Sequence, residues 1–206
     1  MAAGLGVHAQ KKTLIAREQD ADARADWREA MATVDPASLL FLDETSTPTT
    51  LTPLRARSLR GQRVLGRVPR GRWTAVSLLA TLTPNGLGPA LQLPGTVDRA
   101  VFEQFVAETL APSLRPGQTV VLDNLSVHRS ARARQLIEAA GCHLVFLPTY
   151  SPDFNPIEQA FAKLKELLRR TEARTVEAVM TATQQHYPAI TPADARNFYR
   201  AAGYNL

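Results

Sequence analysis

Three short, unbroken apolar runs constrain the fold of this chain more than any other feature. They are Ser38-Leu-Leu-Phe-Leu42, Thr119-Val-Val-Leu122 and the stretch from His143 to Leu147, bounded by breakers such as Pro36, Pro116-Gly117 and Pro148. A half-exposed strand alternates apolar and polar residues, because successive side chains point to opposite faces. These runs do not alternate, so they predict strands covered on both faces. Segments 73–83 and 87–93 flank Pro84-Asn85-Gly86 and read as a hairpin.

Helical periodicity fills the intervals. Val97, Val101, Phe105 and Leu110 share a face over 97–111, and Ala133, Leu136, Ile137 and Ala140 share one over 129–140, with Gly141 as a natural cap. Asn155 precedes Pro156, the favoured first helical residue, and the stripe Ile157, Phe161, Leu164 and Leu168 follows. Two further helices are expected at about 175–187 and 192–202, and the Ala- and charge-rich segment 9–33 reads as a helical lead-in, with Leu14, Arg17 and Ala21 on one face. The order predicts an α/β fold in which helices flank a mixed sheet, and 206 residues suffice to bury it.

Charge narrows the function. Lys plus Arg number 24 against 19 Asp plus Glu, and 20 of the cations are arginine. Residues 45–97 contain no acid, yet Arg55, Arg57, Arg60, Arg63, Arg67, Arg70 and Arg72 fall within them. Such a run reads as an extended basic loop over 54–72 that binds a polyanion, since each guanidinium can pair bidentately with a phosphate; a solvated loop without a partner is the alternative. A single cysteine, Cys142, excludes an internal disulfide framework and any multi-cysteine zinc site, and its place beside an apolar run suits a buried small hydrophobe. No stretch approaches the roughly 20 apolar residues of a membrane span, and the N-terminus lacks a signal peptide's apolar core. The expected location is cytoplasmic.

Three carboxylates stand out by placement. Asp43 and Asp123 end the first two buried runs, and Glu158 lies in the first turn of the helix after the third. α/β folds gather ligand groups at the carboxyl ends of strands, and oxygen donors there suit a hard cation such as Mg²⁺ or Mn²⁺. Neighbouring Glu44 would point to the opposite face of a continuing strand, which favours Asp43. Each acid also has a structural reading. Asp43-Glu44 can be a polar strand end and Asp123-Asn124 a turn, while Asn155 and Glu158 have the spacing of a helix capping box.

The segments Phe41-Leu-Asp-Glu-Thr45, Val121-Leu-Asp-Asn-Leu-Ser-Val-His128 and Leu147-Pro-Thr-Tyr-Ser-Pro-Asp-Phe-Asn-Pro-Ile-Glu158 together resemble the signature blocks of DDE transposases. The resemblance is to the bacterial insertion-sequence branch of the mariner superfamily and runs from about residue 38 to about 170. The 34 residues between Asp123 and Glu158 match that superfamily's spacing.

The resemblance implies a ribonuclease-H-like fold with a five-stranded mixed sheet, in which Asp43 and Asp123 stand on neighbouring strands and the helix of Glu158 closes the site. It divides the chain into a helical lead-in at 1–35, the tail of a missing helix-turn-helix region; a DDE catalytic domain at 36–172; and C-terminal helices packed on it at 173–206. It implies metal-dependent cleavage of DNA at the ends of a mobile element, then strand transfer of the freed 3′-OH into target DNA. Asp43, Asp123 and Glu158 become the metal ligands and catalytic acids for Mg²⁺ or Mn²⁺, with two ions expected from the chemistry of in-line phosphoryl transfer. Asn124 and His128 belong to the second block and orient the site or a phosphate; for His128, a helix-start residue without chemistry is the alternative. Positions 158, 162, 165 and 169 share a helical face, so Lys165 and Arg169 extend a basic track that joins the seven arginines as DNA contacts. Expected partners are element-end and target DNA, a second copy of the chain, and a separate helix-turn-helix chain, with a nucleoid-associated location. Rival readings are a non-catalytic DNA-binding remnant that competes or pairs with a full-length transposase, and a structure-directed nuclease of the same fold.

Overall fold

The computed structural model describes residues 16–53, 55–69 and 73–206. Its centre is a five-stranded mixed sheet in the order β3-β2-β1-β4-β5. β1 (Leu39–Pro48), β2 (Ala75–Thr83) and β3 (Gly86–Pro94) form an antiparallel meander, and β4 (Thr119–Leu122) and β5 (His143–Phe146) extend it parallel to β1. The helices are α1 (Ala21–Ala32), α2 (Arg99–Phe105), which runs through a π-helical turn at Val106–Leu110 into α3 (Ala111–Ser113), then α4 (Ala131–Ala139), α5 (Ile157–Thr171), α6 (Val176–His186) and α7 (Pro192–Ala201).

The unbroken apolar runs have the cause expected of them. Leu39, Phe41, Leu78, Ala80 and Val121 pack toward α5 and α7, while Leu40, Leu42, Leu79, Val120 and Leu122 pack toward α2 and α4. Both faces of these runs are therefore covered, and Leu39–Leu42 and Val120–Leu122 are apolar whichever way they point. α7 is pinned by Tyr199, fully buried, whose hydroxyl lies 2.8 Å from the Leu39 carbonyl oxygen and 3.1 Å from that of Leu82. Gly86 turns the hairpin at φ 114°, where a Cβ would come within 3.0 Å of the Ile190 carbonyl oxygen.

The sequence expectations need correction at three points. The first strand does not end at Leu42: β4 stops pairing there, but β2 continues alongside β1 to Pro48. The Thr/Ser/Pro cluster beyond it is strand rather than boundary, because β-branched threonines suit a pleated surface, and Thr45 and Thr47 are buried. The N-terminal helix expected over 9–33 covers only Ala21–Ala32 among the described residues. Asp20 starts it by accepting hydrogen bonds from the amides of Asp22 and Ala23, and residues 1–15 lie outside the described residues. The helix after the third strand begins at Ile157 rather than Pro156, and Asn155 does not cap it.

Candidate active site

The sheet register places the first two acids. Leu42 pairs with Leu122 across the parallel β1–β4 ladder, so the next residues, Asp43 and Asp123, emerge side by side where β4 ends. Asp43 lies inside β1 and is buried, whereas Asp123 starts the loop after β4 and is half-buried. Glu158 enters from the first turn of α5 and is exposed. All three line one cleft of about 380 Å³, together with Asn124, Leu125, Asn155 and the loop from Leu147 to Pro152.

Each aspartate is held by a partner that fixes its orientation. Asn155 Nδ2 donates to Asp43 Oδ2 at 2.7 Å, and the Glu44 amide donates to Asp43 Oδ1 at 2.7 Å. The sequence pattern makes Asn155 a helix cap and Asn155–Glu158 a capping box. Neither geometry is present, because the Asn155 amide is drawn to the buried carboxylate and Glu158 stays free to face the cleft. His128 is buried at 1% exposure; its Nδ1 hydrogen-bonds Asp123 Oδ1, and its ring packs 5.0 Å from that of Phe102. It precedes the Ser130 cap of α4, so it is not a helix-start residue. Asn124 donates to Thr149 Oγ1 at 3.3 Å, joining the second block to the third. Glu44 faces the other side of the sheet, where Ser77 Oγ donates to it at 2.7 Å.

The electrostatics of the cleft bear on Asp43. Burial, reinforced by the nearby carboxylates of Asp123 and Glu158, raises it from the ordinary 3.8 to about 7. Among the described residues, no group of three histidine, cysteine or acidic side chains closes on a common point. The donors nonetheless fit a hard divalent cation. They are all oxygens on one cleft, Asp43 is costly to ionise without a compensating positive charge, and Asn155 Oδ1 is a buried acceptor with no partner beside them.

The expected DNA contacts divide into two groups. Lys165 is half-buried on the face of Glu158, and burial lowers its pKa. Arg169 lies further along that face, where it pairs with Glu166 at 3.5 Å. Arg55, Arg57, Arg60, Arg63 and Arg67 are exposed in an irregular arm between β1 and β2, turned at Gly61, and none lines the cleft. Arg70 and Arg72 lie outside the described residues.

Sequence reasoning missed a clasp on the loop that carries Asn155. Arg24 of α1 makes a bidentate pair with Asp153 at 2.8 and 2.6 Å and lies over the Phe154 ring, with Arg28 above the same ring. Gln19 Nε2 donates to the Tyr150 carbonyl at 2.6 Å, and the Tyr204 hydroxyl donates to that of Phe154 at 2.8 Å. Tyr150 itself is held at φ 56°, a left-handed conformation that favours glycine. No local pattern announces contacts between residues so far apart in the chain.

Sheet order, parallel register and an acid-lined cleft at the point where β4 ends define a ribonuclease-H-like fold. Residues 38–180 match the family described as DDE superfamily endonuclease, and the chain belongs to that family. It is 26% identical over 120 residues to the transposable element Tc1 transposase of Caenorhabditis elegans, an alignment covering 56% of this chain and 44% of the relative. The chain thus spans less than half the length of that curated relative. In three dimensions it matches the Mos1 strand transfer complex with a TM-score of 0.74 at 19% identity, over 96% of this chain and 62% of that one. It matches the mariner Mos1 paired-end complex with Mg with a TM-score of 0.74 at 16% identity, over 97% and 63%. The family is therefore that of the DDE superfamily endonucleases, and the fold is like that of the Mos1 catalytic domain.

Proposed function

We propose that the chain is the catalytic part of an insertion-sequence transposase that cuts DNA at the ends of its element and joins the freed 3′-OH to target DNA. The observation that carries this reading is the convergence of Asp43, Asp123 and Glu158 on one cleft, with Asp43 held near neutrality by burial and by the other two. The likeness to Tc1 transposase and to Mos1 assemblies supports it.

In this reading Asp43, Asp123 and Glu158 hold Mg²⁺ or Mn²⁺, two ions by the chemistry of the reaction. When bound, the metal supplies charge neutralisation at the phosphoryl group and lowers the pKa of the attacking oxygen's proton. The protein's own part is placement. Asn155 and the Glu44 amide fix the Asp43 carboxylate, and His128 fixes Asp123 Oδ1 while leaving Oδ2 for the cleft. Lys165 offsets the charge of Glu158 and meets a DNA phosphate, and the arginines of the arm track the backbone further out. Charge reversal in that arm should flatten the salt dependence of DNA binding. A second copy of the chain, a separate helix-turn-helix chain that reads the element ends, and a nucleoid-associated cytoplasmic location complete the proposal.

The deciding assay is strand joining in Mn²⁺, using a pre-cut, 3′-OH-ended oligonucleotide and supercoiled plasmid, with Asp123→Asn as comparison. Joining by the unaltered chain alone supports the reading. Cleavage of RNA–DNA hybrids or four-way junctions without joining would make the protein a structure-directed nuclease. DNA binding without chemistry, even with an added N-terminal recognition chain, would make it a non-catalytic competitor.

A further inference from the structure

Many cations on the described surface are already matched. Lys163 pairs with Asp194, Arg169 and Arg170 with Glu166, Arg174 with Glu172, and Arg24 with Asp153. The segment that follows Asp123 is different. Residues 124–137 contain Arg129, Arg132 and Arg134 and no acid. Arg129 is exposed and has no carboxylate partner among the described residues. Its Nε donates to Asn124 Oδ1 at 2.8 Å, which anchors the guanidinium and leaves both terminal nitrogens uncommitted.

That anchor is itself oriented. The Asn124 amide nitrogen is taken by Thr149, so its oxygen is presented to Arg129. Asn124 also lies at a junction. It lines the catalytic cleft and a second cleft of about 430 Å³, whose other walls are Arg129, Ser130, Ala131, Arg134 and Phe146. Arg134 lies over the Phe146 ring at 5.8 Å and pairs with Glu138 at 3.2 Å. The other acid nearby, Glu103, accepts the Ser130 hydroxyl at 2.6 Å. Neither acid is bonded to Arg129.

A cleft that shares Asn124 with the acid-lined one, walled by a pre-oriented guanidinium with two uncommitted terminal nitrogens, suits one phosphodiester of a passing strand. We propose that this second cleft is a phosphate subsite for the DNA strand flanking the reacting phosphate, with Arg129 as the contacting group and Asn124 as its positioning residue. The subsite rests on the reading of the chain as a DNA-processing enzyme. It puts cationic support on the β4–α4 side of the cleft.

The test is fluorescence anisotropy of a labelled DNA duplex against the full chain in EDTA, across a salt series, so that binding is read without turnover. Arg129→Ala is expected to weaken binding about tenfold and to reduce the slope of log affinity against log salt by about one. Arg129→Lys should restore the slope but not the affinity, because a point charge lacks the fork. Asn124→Ala should weaken binding with an unchanged slope, because the charge remains and only its placement is lost. Arg170→Ala removes an equal charge from α5 and should change neither quantity. Thermal melts of all four variants verify folding. If the unaltered chain binds and Arg129→Ala binds with the same affinity and slope, the subsite is refuted while the DNA-processing reading stands. If the unaltered chain binds no DNA, both fall.

Discussion

Replacing Asp43 by asparagine should stabilise the metal-free protein at alkaline pH, contrary to what removal of a hydrogen-bonded side chain usually does. Burial and the carboxylates of Asp123 and Glu158 raise Asp43 from the ordinary 3.8 to about 7. In the unfolded chain the same group ionises near 3.9. The folded state therefore binds the proton more tightly, and folding loses stability as pH rises between those two values. Below about pH 4 the carboxyl is neutral in both states and carries no penalty. Above about pH 7 the penalty is complete. A gap of about three pH units, at about 1.4 kcal/mol each, bounds it at ~4 kcal/mol. For a chain of this size that corresponds to a melting shift of up to roughly 8–16 °C. The substituted amide is neutral throughout, and the unpartnered Asn155 Oδ1 can accept from it once the Asn155 side chain flips. The assay is a melting series in EDTA from about pH 4 to pH 8.5. The Asp43→Asn variant should match or trail the unaltered protein at the acid end and overtake it through neutrality. A difference independent of pH would refute the argument, because it would mean that Asp43 ionises in the folded protein at little cost.

Three other outcomes follow from the same geometry. Asn155→Ala frees one oxygen of Asp43 and should raise the Mn²⁺ or Mg²⁺ concentration needed for half-maximal joining by about 10–100-fold, as loss of a ligand's supporting partner typically does; a metal titration of the joining assay reads this. Arg24→Ala breaks the exposed clasp on Asp153 and should cost only about 0.5–1 kcal/mol of global stability, yet speed amide exchange across residues 149–155 while leaving β1 and β4 unchanged. Tyr199→Phe leaves the Leu39 and Leu82 carbonyls short of a buried donor and should destabilise the fold by about 1–2 kcal/mol in urea titrations, with no change in metal requirement.

The elements most legible in the sequence are those whose environment dictates composition residue by residue. β4 sits inside the sheet under two helical layers, its Val120, Val121 and Leu122 are almost wholly buried, and the pattern showed it; β5, at the sheet edge, opens on an exposed His143 before its apolar residues. β1 beyond Leu42 was illegible because it is held by β2 alone, and its threonines serve a strand as well as a turn. Asn155 shows a different limit. Its neighbours Pro156 and Glu158 supply every local signal of a helix start, and only the tertiary position of Asp43, 112 residues earlier, diverts the amide. The α1 clasp was hidden for the same reason, since Arg24 and Arg28 look like the solvated face of a helix until Phe154 and Asp153 are brought beneath them. Where the three acids lie relative to one another was readable through the resemblance of the three blocks. Their individual partners were not.

The two aspartates and the glutamate do not share one mechanical frame. Asp43 lies within β1 and Asp123 directly follows β4, so the Leu42–Leu122 register sets their backbones side by side. Glu158 rides on α5, which is reached through a loop tied by three side-chain amides, Asn155 to Asp43, Asn124 to Thr149 and Gln19 to the Tyr150 carbonyl, and by the Arg24–Asp153 pair and the Tyr204 hydroxyl. The place of the third acid is thus set by these ties and by the core packing of Ile157, Phe161 and Leu164, not by strand register. Because Asn155 on that loop also holds Asp43, any shift at the entrance of α5 reaches the first acid as well as the third.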